Sequence, residues 1–223
     1  MGSASTQIWT IQPQAVCSAL EKDRELFVDQ RCPRYRGYVP AAYRWLQKQL
    51  RPRLQGYTGK LPWWAYCSKP DLRLHRHVWP KASVQVRLEL HVSVDEVTRF
   101  PCWAWHTVFR QDYLAMTREE YEEWTARQRA AVPDEDLWPP PEPWRSQLEA
   151  SWERLFSPDL PQLSWNDETV WSKQVCMEAV FEILRWDDVR DATTFRGTSP
   201  FLAQASPLAY LDTRESKRGR CEI

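Results

Sequence analysis

Nine residues constrain the fold more than any others. From Val84 to Val92, apolar Val84, Val86, Leu88, Leu90 and Val92 alternate with Gln85, Arg87, Glu89 and His91. A period of two is that of a strand with one face on a core and the other toward water or a cleft. Val86, Leu88 and Leu90 are therefore expected to be buried, with Arg87 and Glu89 facing out. A second strand is expected at Ile8-Trp9-Thr10-Ile11, closed by Pro13.

Helical patterns lie between and beyond these strands. Residues 14–25 place Val16, Ala19 and Leu20 on one face, and residues 40–51 do the same for Ala42, Trp45, Leu46 and Leu50 before Pro52. Thr117 followed by Glu120 predicts a capping box that opens a helix over 118–131. Trp144, Leu148, Trp152 and Leu155 form a further apolar stripe. In residues 174–183, Val175, Met177, Ala179, Phe181 and Ile183 alternate, whereas Met177, Val180, Phe181 and Leu184 fit a helix; the strand is favoured. The sum is an α+β chain. Pro133, Pro139, Pro140, Pro141 and Pro143 make a stiff connector, but neither side carries an obviously complete core. Residues 1–211 are therefore expected to form a single domain, and 212–223 a loose basic tail.

With 43% hydrophobic and 27% charged residues the chain belongs to the globular class. Its fourteen tryptophans suit core and rim packing, and also the walls of a cleft where flat ligands stack. Net charge is zero but unevenly placed: residues 1–111 hold 17 Lys/Arg against 8 Asp/Glu, and residues 112–223 hold 13 against 22. Such a split serves either pairing of the halves within one fold or attraction of phosphates and nucleic acid by the basic half. No apolar run reaches the ~20 residues of a membrane helix. No signal peptide opens the chain, and the six scattered cysteines form no Cys-x-x-Cys pair. Separately buried, reduced thiols in a cytoplasm are expected, without membrane association. Residues Met1-Gly2-Ser3-Ala4-Ser5-Thr6 fit a myristoylation pattern, which an expression scar or frayed terminus explains better.

Several polar groups are candidates for chemistry. Arg73, in the Lys69-Pro70-Asp71-Leu72-Arg73 turn, can clamp a pyrophosphate or carboxylate, or else pair with Asp71 at the surface. His75 and His77 flank Arg76 and would share one face of a strand, but no third ligand stands at a matching spacing, so no metal site is expected. His106, between Trp105 and Thr107, is a candidate ligand donor or acid/base, or a packing residue among aromatics. The loop from Arg31 to Tyr38, with Arg31, Arg34 and Arg36 among tyrosines, suits nucleic acid or a basic surface loop. There is no Gly-rich phosphate loop or nucleophile elbow.

Longer segments carry a resemblance. The opening IWTIQP, PWWAYCSKPDLR at 62–73, RLELHVSVDEV at 87–97 with Trp103-Ala104-Trp105-His106, SWERLF at 151–156 and KQVCMEAVFEILRWDDV at 173–189 together resemble the bacterial domain-of-unknown-function family DUF3841, in order across residues 8–196. The last block is looser, with Cys176 and Met177 at positions where that family leads one to expect other residues. A strand ending in an aromatic residue and threonine, then a helix and a chain return, is also similar to the start of ADP-ribosyltransferase-like domains. That similarity implies small mixed or antiparallel sheets forming an NAD cleft flanked by helices. It would set Trp9 and Thr10 near the nicotinamide ribose and make Glu178 the catalytic strand glutamate. Glu178 shares its candidate face with Gln174, Cys176, Val180 and Glu182, and a carboxylate there can bond a ribose hydroxyl or steady developing positive charge; its bland alternative is a solvated carboxylate like Glu182.

Two functions follow as expectations. One is an NAD-dependent ADP-ribosyltransferase-like transferase of unknown acceptor, with NAD as substrate and Trp9, Thr10, Arg73 and His106 as binding residues. The other is a non-catalytic module that uses an aromatic-lined cleft to bind a nucleotide, RNA or a partner.

Overall fold

The alternation at 84–92 becomes the strand against which the main sheet is registered. The computed structural model describes residues 4–28, 41–81, 83–132, 140–160 and 176–199. In chain order the elements are β1 (Ser5–Pro13), α1 (Gln14–Asp23), β2 (Glu25–Leu26), α2 (Ala41–Leu50), β3 (Trp63–Tyr66), α3 (Leu72–His75), β4 (Val84–Ser93) and β5 (Thr98–Pro101). They continue as α4 (Cys102–Phe109), α5 (Arg118–Ala131), α6 (Trp144–Ser151), β6 (Met177–Phe181), β7 (Leu184–Arg185) and β8 (Val189–Arg196). Among the described residues the main sheet has six strands, in the order β5-β6-β3-β1-β4-β8, and β2 pairs with β7. The pairings of β1 with β3 and β4, of β3 with β6 and of β4 with β8 are antiparallel. The α+β class holds. One broad, mostly antiparallel sheet with a two-stranded ribbon stands where small mixed or antiparallel sheets forming a cleft were expected.

The chain packs as two compact units: Met1–Val39, Arg44–Arg99 and Glu178–Ile223 form the first, and Pro40–Tyr43 with Phe100–Met177 the second. In the first unit, β4 buries Val86, Leu88, Leu90 and Val92. Register places Thr10 opposite Leu88 and Ile8 opposite Leu90, so these residues share one face of the sheet. Helix α1 packs on β1 and β4. It starts directly after Pro13, which needs no partner for an N–H, and buries Val16, Cys17 and Leu20. Cys17 rather than Ala19 completes that face. Burying Leu88 and Leu90 stabilises the fold by ~1.5–3 kcal/mol each relative to exposure.

The opposite face of β4 departs from expectation. Gln85 is buried, and Arg87 and Glu89 are half-buried rather than facing water. Arg87 donates to the carbonyl of Pro70 at 3.1 Å and to Thr193 Oγ1 at 3.2 Å. Residues 70–79 lie over this face, where Ile11 and Trp79 form a cluster with Tyr66, Leu72 and Phe195. Gly197 fixes that cover. A Cβ there would stand 2.3 Å from the Pro80 carbonyl oxygen and 2.4 Å from that of Trp79, so only glycine permits the approach. Alternation therefore reported correctly that one face is polar, but another layer hides it.

The strand at 174–183 is borne out over Met177–Phe181; Gln174 and Val175 lie outside the described residues. As an interior strand, β6 buries Glu178, Ala179, Val180 and Phe181 in succession. Burial on both faces blurs the period, which is why a helix fitted almost as well.

The second unit is helical over most of its described residues. Thr117 caps α5 by accepting from Glu120 N–H at 3.2 Å. The Glu120 carboxylate reaches back one residue further than a capping box, to Met116 N–H at 2.8 Å, and also accepts from Tyr113 Oη at 2.9 Å and Arg154 Nη1 at 2.6 Å. Leu148, Trp152 and Leu155 are buried along the expected stripe and Trp144 is half-buried. Trp152 donates its indole N–H to the Asp112 carbonyl at 2.8 Å. Pro133, Pro139 and the tail 212–223 lie outside the described residues.

Candidate functional site

One row of side chains crosses the first unit's sheet on the face covered by residues 70–79. Tyr66 of β3 lies opposite Trp9 on one side and opposite Glu178 on the other. Trp9 in turn lies opposite Glu89, and Glu89 opposite Asp191. Directly opposed residues point to the same face with Cβ atoms ~5 Å apart, so Glu178, Tyr66, Trp9 and Glu89 stand side by side. Trp9 donates its indole N–H to Glu89 Oε2 at 3.2 Å, and Gln7 Nε2 donates to Glu89 Oε1 at 2.6 Å. Trp9 is 9% exposed and Glu178 5%, whereas Tyr66 is half-buried.

Helix α3 brings a second group to this row. Asp71 caps α3 by accepting from Arg73 N–H at 2.9 Å. His75 then meets Tyr66: the rings cross edge-on at 5.1 Å and 68°, and Tyr66 Oη is 3.5 Å from His75 Nδ1. Burial holds the His75 imidazole below its ordinary pKa, and the charge of Asp71 opposes that shift. His75 and His77 thus stand on α3 and the turn Arg76–Val78, not on a strand, because Asp71 starts a helix after Pro70. His77 bonds Thr198 Oγ1 at 3.0 Å. No group of three or more His, Cys, Asp or Glu among the described residues is placed to hold a metal ion.

The remaining candidates are placed differently. Thr10 follows Trp9 in a strand, so it points to the opposite face. It is fully buried there, donates to the Trp64 carbonyl at 2.8 Å and accepts from Gln12 Nε2 at 2.7 Å. Arg73 is solvent-exposed and grips Asp71 through Nε and Nη2, the latter at 2.8 Å. This is the surface pair foreseen for that turn. His106 belongs to the second unit, on the exposed side of α4. Glu182, expected as a solvated carboxylate, is buried. It accepts from Thr58 N–H at 2.8 Å, Thr58 Oγ1 at 2.9 Å and Lys60 N–H at 2.8 Å. It lines a shallow cleft with Tyr57, Glu96, Phe181 and Arg185. Arg185 there bonds Glu96 at 2.7 Å and approaches Glu25 at 3.4 Å, so the cleft's charges hold the fold together.

The family model described as Domain of unknown function (DUF3841) matches residues 7–183. The chain belongs to the DUF3841 family. The match falls short of the expected reach to 196, but it includes Trp9, Thr10, Arg73, His106 and Glu178. No curated protein and no solved structure matches this DUF3841 chain.

Two residues of the row went unnoticed in the sequence. Tyr66 was legible only as part of the aromatic run Trp63-Trp64-Ala65-Tyr66, and Glu89 only as a polar strand position. Their importance lies in register, which a single sequence does not display. The loop with Arg31, Arg34 and Arg36 lies outside the described residues, as do Met1-Gly2-Ser3. Among the described residues no helix is long and apolar enough to cross a membrane. Among the described residues the cysteines are not all separately buried: Cys17 is buried and Cys67 half-buried, while half-buried Cys102 is hydrogen-bonded to exposed Cys176.

Proposed function

We propose that this DUF3841 protein binds a ribose-bearing ligand, a nucleoside or nucleotide, at the Trp9–Tyr66–Glu178 row. The row itself carries the reading. Flat aromatic surfaces suit a base, and a carboxylate beside them accepts from vicinal hydroxyls. A few convergent polar groups against apolar walls are the usual make-up of such a site. Because Arg73 already grips Asp71, recognition rests on the base and the sugar more than on a pyrophosphate clamp.

One feature favours the further step to an NAD-dependent ADP-ribosyltransferase-like transferase. Glu178 is 5% exposed, and a carboxylate withdrawn from water acts strongly on positive charge that develops nearby. In this reading Glu178 steadies the ribosyl cation as the bond to nicotinamide breaks, and Trp9 lies against the nicotinamide ribose. The acceptor is not specified by these residues.

The test is calorimetry with adenosine, ADP and NAD, joined to an assay of nicotinamide release. Nicotinamide release by the wild type that vanishes in Glu178→Gln at NAD concentrations that still saturate the more weakly binding variant assigns the transferase. Binding without release assigns the non-catalytic module. Binding of RNA that weakens steeply with salt, and of none of the three small ligands, overturns the ribose reading.

A further inference from the structure

We propose that Cys102 and Cys176 form a dithiol that hydroperoxides oxidise to an intramolecular disulfide. Cys102 is the first residue of α4, directly after β5, and Cys176 directly precedes β6. The Cys102 backbone N–H donates to the Cys176 carbonyl at 2.8 Å. This bond holds the two residues side by side, as joining their sulfurs requires.

The side chains also meet. The Cys102 thiol donates a hydrogen bond to the Cys176 sulfur, and this brings Cys176 down to about 7 although burial pulls the other way. The hydrogen bond thus favours the thiolate of Cys176, the reactive form. Cys176 is exposed, so a small oxidant reaches it. Cys17 makes the contrast: it is buried, and burial pushes it up to about 12.

The chemistry balances with a hydroperoxide as oxidant. The Cys176 thiolate attacks the peroxide oxygen, the O–O bond breaks, and Cys176 becomes a sulfenic acid as water or an alcohol leaves. Cys102 sulfur then attacks the Cys176 sulfur and forms the S–S bond. The sulfenic oxygen departs as water with the Cys102 proton. Two thiols are oxidised and one peroxide is reduced.

The position of the pair gives the bond a consequence. The second unit's longer segment runs from Phe100 to Met177, so the cysteines stand at its two ends. A disulfide there closes the segment into a loop and restricts its unfolded ensemble.

The experiment uses the full chain, reduced, treated with equimolar hydrogen peroxide, alkylated and mapped by mass spectrometry. The expected product is a Cys102–Cys176 cross-linked peptide lacking two hydrogens, with a melting temperature raised by roughly 5–10 °C and restored by dithiothreitol. Cys102→Ser should leave Cys176 as a sulfenic acid trapped by dimedone, and Cys176→Ser should leave Cys102 alkylable. Oxidation of Cys176 to the sulfinic acid in the wild type while Cys102 stays alkylable overturns the proposal. So does preferential oxidation of any other cysteine.

Discussion

Tyr66 lies directly opposite Glu178 across the β3–β6 pair, which sets a phenol ring beside a buried carboxylate in the middle of the sheet. Trp9 lies on the other side of the same tyrosine. Two residues from opposite ends of the sequence are thus held one strand apart on either side of Tyr66, and α3 adds His75 above the tyrosine. Every strand that sets this row is antiparallel to its partner there, so a one-residue slip of β3 or β6 would turn the Tyr66 or Glu178 side chain to the other face.

The core beneath the row rests on β4. Leu88 is fully buried opposite Thr10, so Leu88→Ala should cost ~2–5 kcal/mol through lost transfer energy and a cavity. Urea unfolding measures it. A loss below ~1 kcal/mol would show that this face is not the centre of the core.

Gly197 holds Trp79, Pro80 and Ser83 against the end of β8, with its N–H donating to the Ser83 carbonyl at 3.1 Å. Gly197→Ala must push the backbone at Trp79 and Pro80 away, at ~1–3 kcal/mol. The same shift should change the near-ultraviolet circular dichroism of buried Trp79. An unchanged spectrum with unchanged stability would refute the close approach.

His75 gives the fold a pH dependence of fixed sign. Burial, opposed by Asp71, lowers its folded pKa below the ordinary 6.5, so the unfolded chain binds more protons. Its contribution to stability is complete above pH ~6.5 and is lost as the pH falls through the folded value. The difference between wild type and His75→Gln, measured by chemical denaturation from pH 5 to 8, should shrink toward acid. A difference that is constant or grows toward acid contradicts the burial of His75.

Residues 1–211 as one domain should melt in a single calorimetric transition, with van't Hoff and calorimetric enthalpies equal. Two separate transitions would make the unit of Pro40–Tyr43 with Phe100–Met177 and the rest of the chain independent domains.

Strand positions and helix faces were legible because they depend on period alone. Val86, Leu88 and Leu90, the Thr117 cap and the Leu148–Trp152–Leu155 stripe all follow from spacing. Thr10 shows where spacing needed stricter use. It adjoins Trp9, and neighbours in a strand face opposite ways, so the two line different sides of the sheet. Glu182 and Arg87 show what spacing lacks. Each is polar in a strand-like pattern, and each is covered by a segment remote in sequence, the Thr58–Lys60 turn for one and Pro70 for the other. The pairing of Cys102 with Cys176 likewise depends on strand order, which places two distant thiols side by side.

Binding at the tyrosine-centred row is the central claim, and calorimetric titration of adenosine into the wild type and into Glu178→Gln tests it most directly. Adenosine carries the base and the ribose but no phosphate, so it isolates the groups assigned to Trp9, Tyr66 and Glu178. The account predicts saturable one-to-one binding in the wild type. Loss of the Glu178 charge should weaken it about tenfold or more, since a hydrogen bond to a charged group contributes ~1.5–3 kcal/mol. Equal affinity in the two proteins, or no binding to the wild type at millimolar adenosine, would contradict it.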